Sequence, residues 1–278
     1  MTHAAHHNFI FLCGLHRSGT TPLFRILREH PQISGFRNTG VPEDEGQHLQ
    51  GIYPPARAFG GPGRFGFEPA AHLTEESELV TSHNKESLFE QWSKHWDLSR
   101  EYLLEKSPPN LIRTRFLQAY FPHSYFIVIL RHPIAVSMAT VKWSHSSLDS
   151  LLEHWVRCHR LFESDRPHLK RVLIVRYEDL IRARVPTLEQ ICSFLKLHSP
   201  ALGQLDPNGN ERYFAAWRTF TEKGEGRVIL RDLVAKYESA VREYGYSLSV
   251  CSTLLPSDRV SQSEYASSGN ANSGQLCS

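Results

Sequence analysis

An apolar strand that runs into a glycine-bounded polar turn and then into an amphipathic helix leaves a chain few ways to fold. Residues 9–27, FIFLCGLHRSGTTPLFRIL, have that form. Phe9–Leu12 reads as a buried strand, Gly14 and Gly19 bracket the turn, and Pro22 sits in a first helical turn, where proline is tolerated. Main-chain N–H groups in such a turn, backed by the positive end of a helix dipole, make a cradle for an anion. The spacing nearly matches the G-x-x-x-x-G-K-[ST] loop that holds nucleotide phosphates. Gly14, Gly19 and Thr21 fit, but Thr20 stands in the lysine position and Arg17 supplies a cation three residues earlier. Ser18, Thr20 and Thr21 add hydroxyl donors, and Arg17 adds a permanent charge with several N–H groups. The plain alternative, a strand–turn–helix junction with polar caps, has no need of that concentration of glycine, hydroxyl and arginine.

Beyond the turn, strand and helix patterns alternate. Residues 101–106 (EYLLEK), 124–130 (SYFIVIL) and 171–180 (RVLIVRYEDL) read as strands. The first helix ends before Pro31, and further helices are expected over 85–96, 110–121, from Pro133, over 148–164, 187–197 and 228–244. Strands separated by helices point to an α/β fold of three layers, a parallel central sheet with helices on both faces, of the phosphate-loop type. Residues 35–70 are rich in Gly, Pro and aromatics with no sustained period. A long stretch of that kind inside a domain reads as an ordered loop covering a substrate. The expected organisation is a single domain over 1–255 and, from Pro256, a polar low-complexity tail over 256–278 that reads as disordered.

Bulk properties exclude several partners. A net charge of +2 with 22% charged residues gives no field suited to nucleic acid or an anionic membrane. Only MTHAAHH precedes the first strand, too short and polar for a signal or anchor, and no apolar run nears the ~20 residues that span a bilayer. Five cysteines, odd in number and without a C-x-x-C, suit a reduced, cytoplasmic setting. Sixteen histidines are scattered; His154 and Cys158 share a helix face but lack a third ligand at matching spacing, so no metal is expected.

The absent lysine carries information. In nucleoside triphosphatases it reaches the outer phosphates beside Mg²⁺, with a strand-end aspartate helping to hold the metal. Here one strand ends VILRHP, without an acid, and another VRYEDL, where only Glu178 and Asp179 could serve. An arginine-bearing loop suits a less charged 5′ group handled without metal, and a phosphosulfate fits, since a transferring sulfuryl group carries less charge than a phosphoryl group.

With these motifs in view, the chain resembles the sulfotransferases that use 3′-phosphoadenosine-5′-phosphosulfate (PAPS) as donor. GLHRSGTT looks like their 5′-phosphosulfate loop, whose basic residue falls on Arg17. VILRHPIAVSMA resembles their 3′-phosphate motif, with its arginine on Arg131; the family serine commonly lies eight residues on, where this chain has Ala139, so Ser137 is the nearest substitute. VRYEDL resembles the stretch whose tyrosine contacts adenine, which falls on Tyr177. The three motifs occur in family order across residues 10–180, and NERYFAAW with the final helix looks like the C-terminal part of bacterial members. The resemblance implies sulfuryl transfer from PAPS, with 3′-phosphoadenosine-5′-phosphate (PAP) as product, to a hydroxyl or, less readily, an amine of a small-molecule, carbohydrate or lipid-like acceptor.

Such chemistry needs a base for the acceptor and positive charge for the departing phosphate. The stretch similar to the cytosolic members' Lys-Thr-His is EKSPPN, which keeps Lys106 but has Pro108 at the histidine's place. Tyrosylprotein-type members use a glutamate after the first helix, and GVPEDEGQH offers Glu43, Asp44, Glu45 and, close behind, His48. Mutual repulsion among three acids is expected to raise one pKa, with Glu45 preferred, then Glu43, and His48 in reserve. Lys106 and Arg17 would neutralise charge on the bridging oxygen. A phosphate-loop kinase with an altered lysine, and a nucleotide-binding protein without turnover, are the alternatives.

Overall fold

Five strands form the central sheet of the computed structural model, which describes residues 7–198, 208–222 and 224–260. They are β1 (Asn8–Cys13), β2 (Ile33–Gly35), β3 (Tyr102–Lys106), β4 (Ser124–Leu130) and β5 (Val172–Arg176). Every pairing is parallel, in the order β2-β3-β1-β4-β5, with β1 at the centre. β3 and β4 are buried along their whole length, as a sheet covered on both faces requires.

The helices are α1 (Thr20–Leu27), α2 (Ser82–Ser93), α3 (Thr114–Tyr120), α4 (Pro133–Ser144), α5 (Leu148–Asp165), α6 (Tyr177–Arg182), α7 (Arg184–Phe194), α8 (Glu211–Thr221) and α9 (Glu225–Arg242). The step from β1 to β2 runs one way across the sheet, whereas the steps to β3, β4 and β5 run the other way. Right-handed crossovers therefore put α1 on one face and α2 to α5 on the opposite one. Residue parity agrees. Phe9 and Phe11 of β1 meet Phe89 and Trp92 of α2 and Phe121 beyond α3. Tyr102 of β3, on the other face, donates to the Leu195 carbonyl after α7 at 2.5 Å. This is the α/β architecture expected from the alternating pattern.

Several local expectations change. The strand over 171–180 ends at Arg176, and Tyr177 opens α6, whose first turn carries Glu178 and Asp179, acids that favour a helix N-terminus. The helix over 110–121 is split into a 3-10 turn (Pro108–Ile112) and α3, because Arg113 turns out of helical geometry and buries its side chain. β2 is too short to show a period, and α8 lies in NERYFAAW, for which no element was expected. α2 starts at Ser82 because Thr81 caps it, accepting from the Asn84 N–H at 3.1 Å. Of the tail, 261–278 lies outside the described residues, while Arg259 reaches Glu163 and Glu243 at 2.8 and 2.9 Å.

The 35–70 stretch is a chain of short 3-10 turns, packed through Tyr53, Ala56 and Phe65. The fully buried Arg113 donates to the carbonyls of Pro54 (3.0 Å) and Ala71 (3.2 Å), and Trp92 Nε1 donates to that of Gly46 (3.0 Å). The loop is thus fastened by its main chain to the α2–α3 helical layer over the sheet. The glycine turn, Lys106, Arg131 and Tyr177 follow or end β1, β3, β4 and β5, so every motif converges on the carboxyl edge of the sheet, where open α/β sheets collect ligands.

Candidate active site

The turn after β1 forms a nest. Arg17 (φ 69°) and Gly19 (φ 101°) are both left-handed, and α1 then starts at Thr20 with no side-chain cap and no acid in its first turn. A Cβ on Gly19 would also lie 2.4 Å from Tyr177 Cδ2, so backbone angle and neighbour together demand glycine. Ser18 Oγ donates to the Leu15 carbonyl at 2.5 Å, which directs that hydroxyl hydrogen into the turn itself rather than the cradle. Thr20 is buried at the helix start beside Thr21.

One flank of the loop carries the acid and the lysine. Lys106, wholly buried at the end of β3, donates to Thr21 Oγ1 (3.3 Å), the Glu43 carbonyl (3.0 Å) and Glu45 Oε1 (3.0 Å). Glu45 Oε2 accepts from Gln47 Nε2 at 2.5 Å and lies 3.9 Å from His48 Nε2. The three acids part company. Glu43 points outward to Arg25 (3.6 Å), with its side chain 54% exposed. Asp44 is buried enough to be pushed up, yet hydrogen bonds from Thr39 and Arg28 outweigh that and hold it below its usual value. At Asp44 the shift thus runs opposite to the rise expected from neighbouring acids. Burial lowers the His48 pKa, with Arg57 and Lys106 adding to it against the pull of Glu45.

The other flank carries the motif arginines. Arg131 donates to the Arg17 carbonyl (2.6 Å), the Gly209 carbonyl (2.6 Å) and Asn210 Oδ1 (2.7 Å), and its guanidinium lies 4.1 Å from the Tyr177 ring centroid. Tyr177 is therefore packed between Gly19 and Arg131. Ser137 lies buried in α4 with its Oγ unpartnered. Glu178 accepts from the His132 N–H, Asn210 Nδ2 and the Tyr246 hydroxyl at 2.7–3.0 Å, a scaffold role that engages both oxygens.

Sequence reasoning did not assign several neighbours. Gln47 and Glu105 hold the Glu45 segment, and Asn210 holds Arg131. Tyr213 carries a phenol that burial would raise but that Arg17 and Arg212 hold below its ordinary value. His16 sits inside the loop against Phe65 (5.7 Å between ring centroids), its Nδ1 enclosed without a partner. Burial drives its pKa down to about 4; Glu45 pulls the other way, and Lys106, His48 and Arg17 add to the fall. An acid just before the last residue of a buried strand, and a histidine between two glycines, were the available signals. Among the described residues no three His, Cys, Asp or Glu side chains gather to hold a metal, and no helix is long and apolar enough to cross a membrane.

A parallel sheet with a left-handed glycine turn at the carboxyl end of its central strand defines an α/β protein of the phosphate-loop type. The profile of the Sulfotransferase family matches residues 9–200, and the chain belongs to that family. No curated protein sequence matches the chain. Among solved structures it is similar to sulfotransferase STF9 from Mycobacterium avium, with 13% identity over 84% of this chain and 76% of that one (TM-score 0.50). It is also similar to the sulfotransferase domain of the Synechococcus PCC 7002 olefin synthase, with 18% identity over 76% and 89% (TM-score 0.49). A third is mouse sulfotransferase SULT7A1 complexed with PAP, with 17% identity over 78% and 67% (TM-score 0.40).

Proposed function

We propose that the protein moves a sulfuryl group from PAPS to an acceptor hydroxyl, with an amine the less favoured acceptor. The observation that carries this reading is the fully buried Lys106, which bridges the loop hydroxyl of Thr21 to the carboxylate of Glu45. PAPS supplies an activated sulfuryl group; the chain supplies position, charge and a proton acceptor. The nest from Gly14 to Thr21 receives the phosphosulfate, and Arg17 and Lys106 stabilise negative charge as the phosphate departs. Glu45 takes the acceptor's proton, since each of its oxygens retains a lone pair beyond the contacts it makes.

The 3′-phosphate is assigned to Arg131 and Ser137 and the adenine to Tyr177. Two features support the fit: the buried, partnerless Ser137 Oγ, and the two N–H donors that Arg131 retains beyond its three oxygen partners. The acceptor, a carbohydrate, phenol or lipid-like alcohol, enters beneath the 35–70 loop. Holding both reactants in register accounts for much of the acceleration.

Thermal unfolding with PAP, ADP and ATP, each with and without Mg²⁺, tests the donor assignment. PAP at a hundred times its Kd is expected to add about 2.7 kcal/mol of stability without magnesium, and ADP, lacking the 3′-phosphate, distinctly less. Preference for magnesium–ATP would replace this reading with a kinase, and indifference to every nucleotide would remove it.

A further inference from the structure

Glu105 is a carboxylate with no accessible surface, between Leu104 and the buried Lys106 at the end of β3. Burying an acid is costly unless it is fully hydrogen-bonded, and an apolar residue would fill the space more cheaply. What it holds is specific. Three consecutive residues at the end of β3 meet three consecutive residues of the covering loop. Glu105 Oε1 accepts the Gly46 N–H at 3.0 Å, Lys106 Nζ donates to Glu45 Oε1 at 3.0 Å, and Ser107 Oγ accepts the Gln47 N–H at 3.0 Å. Ser107 Oγ in turn donates to Glu105 Oε1 at 2.6 Å, and Asn110 Nδ2 donates to Oε2. The Gly46 carbonyl is held by Trp92, so the residue after Glu45 is gripped at both its N–H and its carbonyl. The approach is close: a Cβ on Gly46 would stand 2.5 Å from Glu105 Oε1.

We infer that Glu105 is a positioning residue for sulfuryl transfer, which sets the Glu45 carboxylate against Lys106 by gripping the Gly46 amide through its length rather than its charge. The inference rests on the reading of Glu45 as the proton acceptor. Burial supports a role for reach: it drives the Glu105 pKa up to about 7 against the hydrogen bonds of Ser107 and Asn110, with Glu45 raising it further and Lys106 opposing, so the group is not a committed anion at neutral pH.

The test uses the full chain and reads PAP release from PAPS, with water or an alcohol as acceptor, PAP affinity, and hydrogen exchange of the 43–49 segment with PAP bound. Glu105→Asp keeps the charge but is one methylene short; it is expected to lower kcat ~10-fold or more, leave PAP affinity within ~3-fold, and speed exchange in 43–49 but not in β1. Glu105→Gln keeps the reach and is expected to lose less than half as much on a logarithmic scale. Gly46→Ala, which pushes on the same contact from the loop side, is expected to match Glu105→Asp and decides the matter if the Asp variant does not fold. Unchanged kcat and exchange in Glu105→Asp or Gly46→Ala would overturn the inference, as would a Gln variant as impaired as the Asp variant. Glu45→Gln run alongside separates the two claims: full turnover there fails the base, whereas loss there with none in the Glu105 and Gly46 variants fails only the positioning role.

Discussion

Glu45→Gln is expected to lower sulfuryl transfer by about 10²–10⁴, the range for losing a general base, while the protein still binds PAP. The substitution keeps the size of the side chain and removes only its charge and basicity. It also leaves the Lys106 ammonium, which has no accessible surface, without its carboxylate partner. An uncompensated buried charge destabilises, by about 3–5 kcal/mol when one partner of a buried pair is removed. An anion delivered to the loop by PAP restores a partner, so the gain in melting temperature on adding PAP is expected to be larger in Glu45→Gln than in the parent chain. Glu43→Gln makes the contrast, because its side chain faces solvent beside Arg25 and its loss is expected to change turnover by less than about threefold. Turnover that survives in both variants would sink the carboxylate assignment.

The second large effect is acid lability. His132, His154 and His159 are almost wholly buried, and burial drives their pKa values down to about 3, 3 and 4. In each, a proton added to the proton-free nitrogen would find no acceptor where it sits. His132 Nδ1 accepts the Ile134 N–H, His154 Nε2 accepts the Gly66 N–H, and His159 Nε2 is enclosed with no partner. In the unfolded chain the same groups titrate near 6.5, so the unfolded state takes up protons first as pH falls. Stability is therefore full above about pH 6.5 and lost as pH falls through 4 toward 3, by about 2 kcal/mol per histidine at pH 5. Glu105 acts in the opposite sense. Its folded pKa, about 7, lies above the ordinary 4.5, so protonation below pH 7 returns about 2–3 kcal/mol. His16, driven down to about 4 by burial in the same way, makes a fourth; the four outweigh the one carboxylate, and the melting temperature is expected to drop by about 15 °C between pH 7.5 and 5. His159→Phe keeps an aromatic ring against Trp155, 4.0 Å between centroids, and is expected to remove about a quarter of the histidine contribution. A melting temperature that is flat across that range would refute the account.

What the sequence made legible was whatever depends on short-range pattern. The strand expected over 124–130 is found as β4 with the same limits, and the glycine turn sits where its spacing required. β2 was invisible because three residues carry no period, and β5 was read too long because Tyr177 and Leu180 continue its apolar character into a helix. At the site, Lys106 and Glu45 were found as types suited to the chemistry, but their 3.0 Å pairing across 61 residues of chain could not be read from spacing. For the same reason Glu105 was passed over: its partner is a main-chain amide, and backbone partners leave no mark in side-chain patterns. The neutralisation of Asp44 by Thr39 and Arg28 likewise depends on contacts that only folding creates.

Arg113 fastens the covering loop by two carbonyl oxygens, those of Pro54 and Ala71, and touches no acidic or amide side chain in doing so. Carbonyls are common to all residues, so these two anchors do not depend on the side chains between them, although Ala56 and Phe65 in that span are held by the core. On the proposed reading, in which the acceptor enters beneath this loop, its exposed side chains are the panel to exchange for a new acceptor preference, apart from the strand tips that would hold the donor.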